Sequence, residues 1–421
     1  MRRASFLLII AILLCTYGVC YGESLNITGE AAILIDYDTK AILYEKNMNE
    51  QLYPASTTKM ITAILAIEQG NLDDIITIDQ EVVSLTKGSH IALEPGEKLT
   101  LRELLYALLV QSANDSAFAI GKYVSGSING FVNLMNEKAK EIGAINTNFV
   151  NPNGLHVDDH VSTAYDLAMI AQYAMQNDIF REYVNTVSHT IEPTNIKTEA
   201  RYLKSTNKLL YSNELINLDG KNVPIKYKNA SGVKTGYTSQ AQNCLVSYVE
   251  ENNQRLIAVV LKSSGNDVYS DTHRLLDYGF NNFRNTPIGY VNEFVDNVKI
   301  SKGLQPVVAG ILDKSFVYPL LNGNIENVER KIVYNDDLVA PIKKGDVLGK
   351  VEYFIDGQSI GESNIISTMD VALDPMTKTL NKILDKWYLF VFAIIIISRI
   401  LVLKSKKRKR RHRRRSYAPY V

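Results

Sequence analysis

Cysteine and tryptophan are scarce in this 421-residue chain, and acidic residues are missing from both of its ends. Of three cysteines, Cys15 and Cys20 fall in an apolar leader outside any convincing lipoprotein context. Cys244 alone remains in the body, in an apolar strand pattern that suits a core position. An exported chain with one cysteine has no internal disulfide, so its stability rests on packing. The six histidines suggest neither a metal cluster nor a Ser-His-Asp triad. His156 and His160 in HVDDH are four apart, but they follow NPNG in a loop and lack the glutamate of a zinc-protease helix. No metal, no cofactor and no nucleophile elbow are expected.

The missing acids make the ends strongly basic. Residues 1–22 contain Arg2 and Arg3, and residues 387–421 contain eleven more lysines and arginines. Without those thirteen, 33 basic residues face 45 acidic ones, so the body carries a formal charge of −12 and is not expected to bind nucleic acid. The start has a basic region, an apolar stretch over residues 6–14 and small residues up to Gly22, which predicts a signal peptide over 1–22; an uncleaved anchor is the weaker reading. At the other end an apolar run over 387–403 begins with Trp387 and Tyr388. At about 1.5 Å per residue it falls slightly short of a hydrocarbon layer of about 30 Å, and Arg399 lies near its basic end, where it can snorkel. A membrane-anchoring helix is predicted over 377–403 and a basic cytoplasmic tail over 404–421, leaving the body outside the membrane. The rival is a helix lying in the interface.

Between the ends the pattern changes once. AAILIDYDTKAILYEKN alternates like two strands joined by a turn at 36–39. A helix from Ser56 stops at Gly70, helical spacing flanks SAND at 112–115, and GFVNLMNEKAKEIG and STAYDLAMIAQYAM are further helices, the second with Ser162 and Thr163 as cap candidates. Strands follow through SGVKTGYTSQAQNCLVSYVE and QRLIAVVLKSS, and SDTHRLLDYGFNNF closes the region as a helix. Helices between strands at both ends predict an α+β domain over 23–284, an antiparallel sheet flanked by helices. From 285 to 376 short alternating runs broken by Gly, Asp and Asn predict a small all-β domain.

Three patches carry the chemistry: Ser56-Thr57-Thr58-Lys59, Ser112-Ala113-Asn114 and Lys234-Thr235-Gly236. Residues three apart share a helix face, so the Ser56 hydroxyl and Lys59 amine point at one spot. A serine is a poor nucleophile until its proton is taken, and Lys59 is in reach if it is neutral. Its pKa must then drop from about 10.4 to around 7, which takes about 4 kcal/mol of differential stabilisation from burial and a second cation, Lys234. Each patch alone is weak, but in this order they form the motif set of class A β-lactamases and penicillin-binding proteins.

With PASTTKM, LLVQSANDSA, MNEKAKEIGAINTNFVNPNGL and HVSTAYDLAMIA, the chain resembles the serine-type D-alanyl-D-alanine carboxypeptidases, the low-molecular-weight penicillin-binding proteins. The resemblance covers about residues 29–283 closely and the β-rich remainder loosely. It implies a β-lactamase/transpeptidase-like fold and a catalytic set of Ser56, Lys59 and Ser112. It implies an oxyanion hole from the N–H groups of Ser56 and Tyr237, and a substrate-binding set of Asn114, Lys234, Thr235 and Gly236, with Tyr237 beside them. The implied partners are peptidoglycan stem peptides ending in D-Ala-D-Ala and β-lactams as covalent inhibitors. A β-lactamase needs a deacylating glutamate, and INTNFVNPNGL at 145–155 has none. The pattern also leaves room for a DD-transpeptidase and for a non-catalytic, membrane-tethered wall-binding protein. Such carboxypeptidases often carry an arginine after the strand that follows KTG; here LKSSGNDVYSD has none before Arg274, and Lys262 is the candidate substitute.

Overall fold

The structure, a computed structural model, describes residues 25–415. The signal peptide expected over 1–22 lies outside the described residues, as does the end of the basic tail. The chain divides into two compact units, residues 1–285 with 319–323, and residues 286–318 with 324–421.

The first unit opens with β1 (Ala31–Asp36) and β2 (Ile42–Lys46), an antiparallel pair. The Asp36 carboxylate fixes their turn by accepting from the Thr39 N–H at 2.8 Å and the Thr39 hydroxyl at 2.7 Å. A 3-10 turn at Ala55–Thr58 runs into α1 (Lys59–Gln69), whose first eight residues are all buried, so this helix is covered on every side. Next come α2 (Gln80–Leu85), α3 (Leu101–Leu109), α4 (Asn114–Ser125), α5 (Ile128–Ile142), α6 (Ala164–Ala174) and α7 (Asp178–Asn185). Of the two cap candidates before α6, Thr163 is the cap, accepting from the Asp166 N–H at 3.0 Å; the Ser162 hydroxyl instead meets Thr147. The chain then supplies β3 (Ala230–Thr238), β4 (Gln242–Glu251), β5 (Gln254–Ser263) and α8 (Asp267–Asn282).

These strands form one antiparallel sheet in the order β2-β1-β5-β4-β3. β1 and the middle of β5 read as unbroken apolar runs because both faces of the sheet are covered. Ile33, Ile35, Ile257 and Val259 belong to the large core shared with the helices α1 to α7. On the opposite face Gly279 of α8 lets the helix press against Leu34 and Leu256; a Cβ there would come within 2.8 Å of both. β3 is an edge strand of this sheet, and the 3-10 turn before α1 packs against it.

The second unit contains a five-stranded antiparallel sheet in the order Phe294–Lys299, Val307–Leu312, Gln358–Ser367, Val347–Ile355, Val328–Tyr334. GQSIG at 357–361 has the spacing of a nucleophile elbow, contrary to the expectation that none occurs. It lies at a hairpin between two of these strands, not at a strand-to-helix turn, so it is not an elbow. The single helix predicted over 377–403 is two: α9 (Pro375–Leu384) and α10 (Trp387–Arg415). The break falls where an amphipathic stretch with Lys378, Lys382 and Lys386 gives way to uniformly apolar residues. Residues Trp387–Lys409 are long and apolar enough to cross a membrane.

Candidate active site

The turn that carries Ser56 is held in an unusual conformation. Ala55 has φ +48°, in the left-handed region that costs a non-glycine residue about 1–2 kcal/mol. Two glycines make room for it. Gly154, at φ +82°, lies so close that a Cβ would sit 1.8 Å from the Ala55 carbonyl oxygen. Gly236 on β3 approaches from the other side, where a Cβ would stand 2.9 Å from the Pro54 oxygen and 3.1 Å from the Ser56 nitrogen. The Thr57 hydroxyl closes the turn on the Pro54 carbonyl at 2.7 Å.

Lys59 begins α1 and is fully buried. Its Nζ lies 2.9 Å from Ser56 Oγ, 2.7 Å from Asn114 Oδ1 and 2.7 Å from the Asn153 carbonyl oxygen. Burial holds its pKa well below the ordinary lysine value; the charge of Lys234 pushes the same way, and Asp115 opposes. Lys234, also buried, donates to Ser112 Oγ at 3.0 Å and to the Thr235 carbonyl at 3.0 Å. Desolvation brings its pKa down to about 7.

Ser112 sits between α3 and α4 at φ +62°. Asn114 is the first residue of α4 and lines the cleft. Oδ1 receives Lys59, and one N–H of Nδ2 donates to the Lys87 carbonyl at 2.6 Å. Its backbone N–H donates to the Ser89 carbonyl at 2.7 Å. The neighbouring Asp115 carboxylate is buried and accepts from the N–H groups of Ile91 and Leu93, each at 3.1 Å. Burial raises its pKa despite those bonds. Asn114 and Asp115 together thus pin the loop over residues 87–93 to the start of α4.

Thr235 Oγ1 lies 2.7 Å from Thr206 Oγ1. Ser56, Ser112, Asn114, Thr235, Gly236 and Tyr237 line one cleft of about 470 Å³, so these six residues converge while Lys59 and Lys234 lie beneath them. Cys244, paired in register with Gly236, forms part of the wall; its thiol is buried and pushed up to about 11.

Lys262 does not take the place of the missing arginine. Its Nζ is 2.6 Å from the Glu30 carboxylate, and it does not line the cleft. His160 stands behind the site: its Nδ1 accepts from the Val150 N–H at 3.0 Å, so Nε2 carries the proton toward Thr58 Oγ1 at 2.8 Å. Burial lowers its pKa to about 4, keeping it neutral. Asn153, Gly154, Thr206 and Asp115 complete the geometry without having been singled out from the sequence. The glycine of NPNG was the one legible signal, because a turn glycine marks positive φ or close approach.

Residues 20–265 match the family model "D-alanyl-D-alanine carboxypeptidase", and residues 283–373 match "Penicillin-binding protein 5, C-terminal domain". The D-alanyl-D-alanine carboxypeptidase DacF of Bacillus subtilis (strain 168) is 32% identical over 368 residues, covering 86% of this chain and 90% of that protein. Among solved structures, penicillin binding protein 5 from Haemophilus influenzae superposes with a TM-score of 0.68 at 27% identity, covering 82% of this chain and 98% of that one. A mutant of Streptomyces K15 DD-transpeptidase superposes with a TM-score of 0.55 at 32% identity, covering 61% of this chain and 98% of that one. The first match takes in more than half of the chain and all six residues that converge on the cleft, so the chain belongs to the D-alanyl-D-alanine carboxypeptidase family.

Proposed function

We propose that this chain is a serine-type D-Ala-D-Ala carboxypeptidase that removes the terminal D-alanine of peptidoglycan stem peptides through an acyl-enzyme on Ser56, and that penicillins acylate the same oxygen. The observation that supports this most is the set of three partners around Lys59. Asn114 Oδ1 and the Asn153 carbonyl can only accept, so they take the two protons of an uncharged amine. The remaining direction, toward Ser56 Oγ, is left to the lone pair, which accepts the hydroxyl proton. Lys59 is therefore the base, kept neutral by burial.

Ser56 Oγ attacks the carbonyl carbon of the penultimate D-alanine while its proton passes to Lys59. The N–H groups of Ser56 and Tyr237 hold the oxyanion. As the C–N bond breaks, the proton reaches the leaving amine through Ser112, which Lys234 orients. Water then attacks the ester, giving its proton to Lys59, and Ser56 is restored. The substrate runs along the edge of β3, where Gly236 permits close approach and Thr235 takes the group beyond the scissile bond. Because Asn114 is held by Lys59 and Lys87, its first role is to position the base, with substrate contact secondary.

The C-terminal helix α10 anchors the chain, with the catalytic unit on the extracytoplasmic side and the basic tail in the cytoplasm. Protease added outside intact cells should remove the catalytic unit and spare the tail; the reverse pattern refutes the orientation. For the chemistry, the protein should take up one labelled penicillin and release D-alanine from a peptide ending in D-Ala-D-Ala, and Ser56→Ala should abolish both. Running the release assay with and without an amine acceptor separates hydrolysis from transpeptidation; no release in either arm refutes turnover.

A further inference from the structure

The two histidines of HVDDH part company in the structure. His156 is half-buried, edge-on to the Tyr53 ring and 3.4 Å from the Asp158 carboxylate. His160 is buried, and it belongs to a loop whose ends are tied together, because the backbones of Asn148 and Val161 exchange hydrogen bonds of 2.9 and 3.0 Å. Loops closed in this way pack as compact units on their own side chains.

This loop lies along the Ser56 turn and the start of α1 and meets them at three places. The Thr62 hydroxyl donates to the Pro152 carbonyl at 2.7 Å, and Lys59 Nζ donates to the Asn153 carbonyl at 2.7 Å. The third contact is made by His160, whose Nε2 lies 2.8 Å from Thr58 Oγ1. Its ring also holds the loop's own backbone, since Nδ1 accepts from the Val150 N–H at 3.0 Å. One rigid ring therefore spaces Val150, in the segment that leads to Asn153, from Thr58, the residue before Lys59. An imidazole suits this bridge because it carries an acceptor and a donor on separate edges of a plane, whereas the amides of Asn and Gln carry both at one end. The Asn153 carbonyl occupies one N–H of the uncharged Lys59 amine, so its place helps to decide where the lone pair points.

We propose that His160 is a positioning residue for the acylation step: its ring fixes the loop that carries the Asn153 carbonyl to the turn that carries Ser56, and so aims the Lys59 lone pair at the Ser56 hydroxyl. This rests on the reading of Lys59 as the base. His160 touches neither the substrate nor the reacting atoms, and it exchanges no proton with them.

The test uses the full-length protein in detergent and labelled penicillin mixed rapidly over a range of concentrations, which separates the limiting acylation rate from the affinity of the complex that precedes it. His160→Asn keeps an acceptor near Val150 and loses Thr58; His160→Gln reaches Thr58 and loses Val150. Each should lower the limiting rate by at least about tenfold, because displacement of a reacting group by a fraction of an ångström is enough, while the affinity stays within about threefold. Thr58→Val removes the hydroxyl and keeps the shape, and Thr58→Ser does the reverse. Thr58→Ser should be acylated at least about tenfold faster than Thr58→Val; equal rates or the opposite order overturn the proposal, and this pair decides it even if the His160 variants do not fold. In the double variant Thr58→Val/His160→Asn the loss should exceed that of the slower single by less than about threefold, since both remove one contact. Losses that multiply to about a hundredfold overturn it, as do folded His160 variants with the normal limiting rate, or with weakened affinity alone. If the unmodified protein forms no adduct on Ser56, the acyl-enzyme reading falls as well; if it does and the variants match it, only this proposal falls.

Discussion

Replacing Gly154 by alanine probes how tightly the Ser56 turn is held. The new Cβ would lie 1.8 Å from the Ala55 oxygen and 2.4 Å from the Ala55 carbonyl carbon, whereas ordinary contact begins near 3.4 Å. Either the turn or residue 154 must retreat by about 1.6 Å, and a shift of about 1 Å at a reacting group costs roughly a hundredfold in rate. The stability cost has two parts: about 1–2 kcal/mol for a left-handed alanine and about 1–3 kcal/mol for overpacking. Gly143 is the control, because it too has positive φ, +95°, but a Cβ there meets nothing within 4 Å. Gly143→Ala should lose about 1 kcal/mol and keep its acylation rate. Gly154→Ala should lose at least twice as much and be acylated by labelled penicillin about a hundredfold more slowly. Thermal melts and acylation kinetics on both variants decide it. Equal stability losses, or normal acylation of Gly154→Ala, refute the reasoning.

Three further outcomes follow from the same geometry. Lys59→Arg puts a permanent cation that cannot act as a base in place of an uncharged amine, so penicillin acylation should fall by more than about a hundredfold. The lowered pKa of Lys234, about 7 in the folded state, means that the unfolded chain binds more protons between about 7 and 10. Stability should therefore rise with pH across that window, seen as a urea midpoint higher at pH 9 than at pH 7, and the rise should shrink in Lys234→Met. Asp115→Asn removes a charged acceptor from the buried N–H groups of Ile91 and Leu93 and should cost about 1–3 kcal/mol. Faster hydrogen exchange confined to residues 87–93, together with slower acylation, is the expected signature.

The elements legible in the sequence are those whose burial pattern is regular. The β1–β2 turn, the buried α1 and the break between α3 and α4 each left a clear period or turn signal. The short helices α2 and α7 passed unread because six and eight residues hold too few turns to show a period, although Asp79 and Asn177 cap them. Within the site, the motif residues were legible because their spacing is local. What was not legible is what the tertiary fold brings in from far along the chain: the Asn153 carbonyl against Lys59, Gly154 beneath Ala55, and Thr206 beside Thr235. Backbone groups leave no trace in residue identity, and threonine reads first as strand propensity. Asn114 shows the same limit, since its place in the motif was legible but its bonds to Lys59 and to the Lys87 carbonyl were not.

The central claim is that the Ser56 hydroxyl is activated by an uncharged Lys59 in a buried site. It is tested most directly by the pH dependence of penicillin acylation, with the adduct located by peptide mass mapping. The account predicts one adduct, on Ser56, formed at a rate that rises with pH through an ionisation well below that of an ordinary lysine and stays high at neutral pH. An adduct on another residue, or a rate that begins to rise only near pH 10, contradicts it.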